Sequence, residues 1–244
     1  MRNIRVYTES PLAGSTTAVL SKEASHHLLR VLRCRRNDHI TLFNGLGGSY
    51  TGRIVSASAH LVEVEILDFE PETAEPGLLI TLGLGISRSL HMDYAVQKSV
   101  ELGVHTIVPL FTERSNVRLD KNRARSRMEH WEKIIIHACE QSGRNILPIL
   151  DSPRDLNEWV SNCQSPARFV LALSARQNLA GLAGMIDREA SILVGPEGGL
   201  TDAEQAAAEQ RGYIPVKLGP RTLRTETAAV AALTALQVLC GDLR

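Results

Sequence analysis

Ser191-Ile-Leu-Val-Gly-Pro-Glu-Gly-Gly-Leu200 and Val216-Lys-Leu-Gly-Pro-Arg-Thr-Leu-Arg-Thr-Glu226 decide the fold of this chain. Each begins as a short apolar strand, breaks at Gly-Pro and runs into a helix. Proline stiffens the bend, and glycine permits positive φ or close approach of backbone to a ligand. After the first, Thr201-Asp-Ala-Glu204 has the spacing of a capping box, which predicts a helix over 202–211. After the second, 226–239 is rich in helix formers. Two such turns at the ends of neighbouring strands make one backbone-lined cleft, where open α/β sheets bind ligands.

The first turn lacks the Gly-x-Gly-x-x-Gly spacing of a dinucleotide site and the Gly-Lys-Ser/Thr of a phosphate loop. Its Glu197 would repel a pyrophosphate, so a neutral or cationic ligand held by backbone groups fits better. In the second turn Arg221 and Arg224 precede a helix start that is itself positive. Such a concentration of positive charge calls for Glu226 as an ion-pair partner or for an arriving anion. The preferred reading is a polyanionic substrate.

Outward from these turns, strands and helices alternate from residue 78. Strands are expected at 78–84, 106–111, 168–173, 191–195 and 213–218, and helices at 91–102 and 121–142. That alternation implies a parallel sheet. Residues 1–75 read as mostly β instead. Short runs at 41–45, 52–56 and 60–67 follow one short helix near 23–33, the spacing of a small barrel. The acidic segment 69–77, with Pro71 and Pro76, is expected to be a linker.

The net charge is zero, with 27 Lys and Arg against 27 Asp and Glu, yet the distribution is uneven. Arg30, Arg33, Arg35 and Arg36 fall within seven residues beside His26 and His27. A solvated helix face is the ordinary reading of such a run, but next to a barrel it points to RNA phosphates. Aromatic residues make up only 4% of the chain, so shape and backbone recognition is favoured over base stacking. Arg144 follows a helix that stops at Gly143, and it either complements that terminus or reaches substrate. Lys98 and Glu101 have the spacing of a structural ion pair. Cys34, Cys139, Cys163 and Cys240 show neither zinc nor disulfide spacing, and the histidines have no partners at ligand spacing, so no metal is expected. No apolar run reaches membrane-span length and the start is too polar for a signal peptide, so a cytoplasmic protein without membrane contact is expected.

The pair Leu-Val-Gly-Pro-Glu-Gly-Gly-Leu and Leu-Gly-Pro-Arg-x-Leu-Arg-Thr-Glu-Thr-Ala resembles the signature of the SPOUT superfamily of methyltransferases. Within it, the similarity is to the RsmE family, the 16S rRNA (uracil-1498-N3)-methyltransferases. His27-Leu-Leu-Arg-Val-Leu-Arg33, Met92-Asp-Tyr-Ala-Val-Gln-Lys-Ser-Val-Glu-Leu-Gly103 and Glu140-Gln-Ser-Gly-Arg144 fit as well. The resemblance thus spans nearly the whole chain; over 151–190 only the pattern of strands and helices matches.

The resemblance implies a PUA-like RNA-binding barrel over 1–73 and a SPOUT domain over 74–244. That second domain would be an α/β domain with a mostly parallel sheet and a deep trefoil knot, holding S-adenosylmethionine in a homodimer. The cofactor would lie against Leu173, Ser174, Gly195, Pro196, Glu197, Gly199, Leu200, Leu218, Gly219, Leu223, Arg224, Thr227 and Ala228. His27, Arg30, Arg33, Arg35, Arg36, Arg144 and Arg221 would meet RNA, namely 16S rRNA of the small subunit. The reaction needs the N3 proton of a uridine removed and its developing charge stabilised. Arg224 suits the second task with Glu226 orienting it, or Glu226 itself accepts the proton. The alternatives are a SPOUT enzyme with another target nucleotide and a PUA-type assembly factor without activity.

Overall fold

The computed structural model describes residues 4–58, 61–71, 74–115 and 121–243, the side chains of Lys121 and Asn122 excepted. The chain folds as two compact units. The first comprises Met1–Glu75 with Ile136–Leu147, and the second Pro76–Ile135 with Pro148–Arg244.

The first unit contains β1 (Arg5–Tyr7), β2 (Thr17–Val19), α1 (Lys22–His26), β3 (His39–Phe43), β4 (Ser49–Ser58) and β5 (Leu61–Glu70). They form one sheet in the order β1-β3-β4-β5-β2, antiparallel except for β1 on β3. Two register shifts bend β4 against β5. Alternation sends Ile40, Leu42, Ile54, Val62 and Val64 into one apolar core with Leu20 and Leu28. Each such buried side chain contributes roughly 1.5–3 kcal/mol. The short strands β1 and β2 escaped the sequence reading, because three residues carry too little alternation. His60, the expected start of the third run, lies outside the described residues. The expected linker begins inside β5, which runs on through Phe69 and Glu70.

The second unit opens with β6 (Leu79–Gly85), α2 (Ser89–Glu101), β7 (Thr106–Phe111) and α3 (Lys121–Ser142), whose last turns belong to the first unit. It continues through β8 (Ile149–Leu150), β9 (Arg154–Asp155), α4 (Leu156–Asn162), β10 (Ala167–Leu171) and α5 (Leu179–Leu182). It closes with β11 (Glu189–Val194), α6 (Asp202–Gln210), β12 (Ile214–Val216) and α7 (Thr225–Cys240). The strands form a wholly parallel sheet in the order β12-β10-β11-β6-β7-β8, with β9 also on β7. In the centre, β11 is buried from Ala190 to Val194, as a strand covered on both faces must be. The helices α4 and α6 pack together, with α4 on β7 and α6 on β10; α7 packs on α2 and against β6 and β11.

The expected capping box is present, and it opens α6: Thr201 and Glu204 bond each other's backbone N–H. The short elements β8, β9 and α4 were not foreseen. Their two-residue strands and seven-residue helix fall below the length at which periodicity is legible.

Candidate active site

The crossover from β11 to β12 passes over β10, whereas β6 connects the other way to β7. The crevice beyond the strand C-termini therefore opens where connections diverge. Three loops line it: 171–174 after β10, 194–200 after β11 and 216–226 after β12, with Ala228 on α7. The cleft measures about 810 Å³, within the range of a nucleoside-sized ligand site.

Of the expected cofactor residues, Leu173, Ser174, Gly195, Pro196, Glu197, Gly199, Leu200, Leu218, Gly219, Leu223, Arg224 and Ala228 all border this cleft. Thr227 does not; it is exposed on the first turn of α7. Gly199 and Gly219 sit at φ of +69° and +92°, with nothing within 4 Å of where a Cβ would be. These glycines hold left-handed backbone and leave the cleft floor open.

Arg221 and Arg224 are both exposed on the cleft. The expected pairing of Glu226 with an arginine does not occur among the described residues. Its Oε1 instead meets His91 Nδ1 at 2.8 Å, and Oε2 is sealed from solvent without a hydrogen-bond partner among the described residues. The reason is placement: Arg224 is the N-cap of α7 and extends outward, while Glu226 turns towards the first turn of α2. Glu226 is thus not the group that orients Arg224.

Sequence reasoning missed the groups that hold the first loop. Glu197 accepts the Arg88 backbone N–H at 3.1 Å, at the N-cap of α2. Arg114 donates to the carbonyls of Gly198 and Leu200 at 3.4 and 3.2 Å. The buried Glu204 carboxylate accepts from Glu113 N–H as well as from its capping partner Thr201. Gly85 lies so close beneath the loop that a Cβ would come within 2.5 Å of Pro196 N. The Gly-x-Gly at 83–85 in an apolar strand was the available signal, since such glycines mark close backbone approach. His91 offered no signal at all, because its partner lies 135 residues away.

In the first unit, α1 continues into a π-turn over His27–Val31, and Arg33 takes a left-handed φ of +58°. The wider turn buries Leu28 while Arg30, Arg33, Arg35 and Arg36 stay exposed, with His27 half-buried. Among the described residues no carboxylate pairs with these four guanidinium groups. Arg144 differs. It is 4% exposed and bonds Glu75 at 2.9 and 2.7 Å, while Glu75 also accepts from the N–H of Asn145 and Ile146. In the structure that pair occupies Arg144, and it ties the segment 136–147 to the end of the N-terminal region. Cys139 lies beside it, and burial pushes its thiol up to about 12. None of the four cysteines is in a disulfide, Lys98 pairs with Glu101 at 2.8 Å, and no group of three metal-ligating side chains occurs among the described residues.

A wholly parallel sheet with its cleft built from the loops after β10, β11 and β12 defines a SPOUT methyltransferase joined to a PUA-type unit. The RNA methyltransferase domain family matches residues 74–237, and the RNA methyltransferase PUA domain family matches 20–67. More narrowly, the chain belongs to the family of ribosomal RNA small subunit methyltransferase E. The protein of that name from Buchnera aphidicola (Schizaphis graminum) is 38% identical over 240 residues, covering 98% of this chain and 97% of the relative. A Neisseria gonorrhoeae structure of that name, bound to S-adenosyl methionine, superposes with a TM-score of 0.92 at 38% identity over the full length of both chains. A methyltransferase from Legionella pneumophila, in complex with its bound cofactor SAM, gives 0.95 at 37% identity, again over both full chains.

Proposed function

We propose that this protein transfers a methyl group from S-adenosylmethionine to N3 of one uridine in 16S ribosomal RNA, acting as a cytoplasmic homodimer on the small subunit or its RNA. The observation that carries this reading is the convergence of three loops far apart in sequence on one cleft. At its mouth lie two exposed arginines and one buried carboxylate.

The cleft suits the cofactor. Left-handed Gly199 and Gly219 leave the floor open, and the lining carries no lysine or arginine in the loops after β10 and β11 to repel a cationic sulfonium. Leu173, Ser174, Gly195–Leu200, Leu218, Gly219, Leu223 and Ala228 would hold it. When bound, S-adenosylmethionine supplies an electrophilic methyl group. The protein's part is to bring N3 into line, to take its proton and to stabilise the negative charge that spreads to the uracil oxygens. Arg224 serves the last task, from a helix N-terminus that adds to its positive field. Glu226 is the carboxylate at the cleft suited to accept the proton; its Oε1 meets His91, and its buried Oε2 has no hydrogen-bond partner among the described residues.

Residues 1–73 act as the RNA-holding domain and 74–244 as the transferase. Arg30, Arg33, Arg35 and Arg36 offer unneutralised charge to phosphates, with His27 beside them and Arg221 at the cleft. Leu90 and Tyr94 on α2 and Val238 on α7 are exposed, and α7 carries no charged residue beyond Glu226. These exposed apolar side chains support the homodimer.

The test is a map of methylated nucleotides in ribosomal RNA from cells with and without the protein. Loss of one N3-methyluridine in 16S rRNA is expected. An unchanged map, or loss at a different kind of nucleotide, overturns the reading.

A further inference from the structure

We infer that Arg114 is an RNA contact on the cleft: its Nη1 is held by the first glycine loop, and its Nε–Nη2 edge takes a phosphate beside the target uridine. The inference rests on the function proposed above and adds a residue that the cleft's two sequence motifs do not contain.

Arg114 follows β7 in the turn 112–115, which closes with the Ser115 N–H on the Thr112 carbonyl. Both of its neighbours are tied down. The Glu113 N–H bonds the buried Glu204 carboxylate at 2.8 Å, and the Ser115 hydroxyl donates to the Ile86 carbonyl at 2.6 Å. Arg114 also presses on the loop after β11: a Cβ on Gly198 would lie 3.0 Å from Arg114 Cβ and 3.1 Å from its carbonyl oxygen. From this fixed root the side chain reaches the loop carbonyls of Gly198 and Leu200, to which Nη1 donates.

A guanidinium carries five N–H groups, of which Nη1 holds two. The other three, on Nε and Nη2, have no partner among the described residues, on a residue that is exposed and lines the cleft. Nε and Nη2 present parallel N–H bonds along one edge, the fork that matches two oxygens of a phosphate. Ordering a long side chain ordinarily weakens binding. Here the pinned backbone and the bonds of Nη1 have already set the direction of the fork.

Two anionic groups come to this cleft. The cofactor's carboxylate shares a carbon with an ammonium group, so that end of the molecule brings no net negative charge. Each RNA nucleotide brings an unneutralised phosphate. N3 lies on the pairing edge of uracil, so the target base leaves its stack to enter the cleft and draws its own phosphates to the rim. Arg221 and Arg224 belong to the loop after β12, and Arg114 adds a cation from a separately anchored segment. The fork therefore goes to the RNA backbone.

The experiment compares wild type with Arg114→Ala and Arg114→Lys. Binding of 16S rRNA to the protein without cofactor is measured across a salt series. Methylation kinetics are measured at saturating S-adenosylmethionine, and cofactor affinity by calorimetry without RNA. Arg114→Ala should flatten the slope of log affinity against log salt by about 0.7–0.9, the share of one phosphate. It should raise KM for RNA by roughly 10-fold, as loss of a charge-assisted bond does, with kcat within about threefold. Arg114→Lys keeps the charge and loses the fork, so it should restore the slope and part of the KM.

A slope unchanged in Arg114→Ala overturns the inference, because a guanidinium that only braces the loop carries no phosphate. A lysine variant whose slope is as flat as that of alanine does the same. A loss confined to cofactor affinity gives the fork to the cofactor's carboxylate and also overturns it. In each of those cases active wild-type protein leaves the proposed function standing. Failure of that function shows in wild type itself, as absent cofactor binding or absent methylation.

Discussion

Gly85→Ala probes how the first glycine turn is held. A Cβ at Gly85 would lie 2.5 Å from Pro196 N, 2.6 Å from Pro196 Cδ and 2.9 Å from the Gly195 carbonyl carbon. Ordinary contact begins near 3.4 Å, and backbone cannot rotate aside as a flexible side chain can, so the turn must lift by about 0.9 Å. The strands themselves hold their register, with Leu84 opposite Val194 in the middle of the sheet. The displacement falls on Gly195–Leu200, the loop that lines the cleft. Overpacking of this kind costs about 1–3 kcal/mol, and each of these lowers the melting temperature by about 2–4 °C in a unit of this size. S-adenosylmethionine affinity, measured by calorimetry, should fall by roughly 10–100-fold, since an ångström-scale shift of a positioning group has effects of that order. Gly83→Ala, two residues earlier, is the control. Its Cβ would meet the ring of Trp159 in the core, away from the cleft, so it should lose stability and keep affinity within about threefold. Unchanged affinity in Gly85→Ala, or equal losses in both variants, would refute the reasoning.

Three further outcomes are expected. Arg224→Ala should reduce single-turnover methylation by at least about 100-fold, as removal of one charge-stabilising donor does, while cofactor affinity measured by calorimetry stays within about threefold. Replacing Arg33 and Arg36 by Glu should weaken RNA binding and flatten its salt dependence by about one unit of slope per lost phosphate contact, read from filter binding across a salt series. Arg144→Ala removes the guanidinium from the partly buried Glu75 carboxylate, which keeps the Asn145 and Ile146 N–H groups, and should cost about 1–3 kcal/mol. Thermal unfolding unchanged from wild type would mean that the pair carries no such strain.

How much of this was legible in the sequence follows from the range of each interaction. The two Gly-Pro turns, the capping box and the long helix 121–142 are written within a few residues each, and all appear in the structure where the motifs place them. Most of the cleft lining was legible for the same reason. The failures share a different cause. His91 with Glu226, Glu197 with Arg88, and Glu75 with Arg144 are pairs separated by 135, 109 and 69 residues, and no local pattern announces them. Arg144 shows the cost of reading charge alone: an arginine after a helix end looks available until its buried partner is known. Thr227 shows the limit of carrying over a motif residue by residue, because the helical turn sends it away from the cleft while Ala228 stays on it.

The bond from Arg88 N–H to Glu197 makes the start of α2 and the cofactor loop parts of one equilibrium. Whatever steadies Glu197 must, by reciprocity, suppress fraying of the helix that Glu197 caps. Deuterium uptake at the Arg88 amide should therefore slow as the cleft fills. A backbone hydrogen that touches no ligand becomes a gauge of occupancy, readable in the resting enzyme with neither RNA nor turnover.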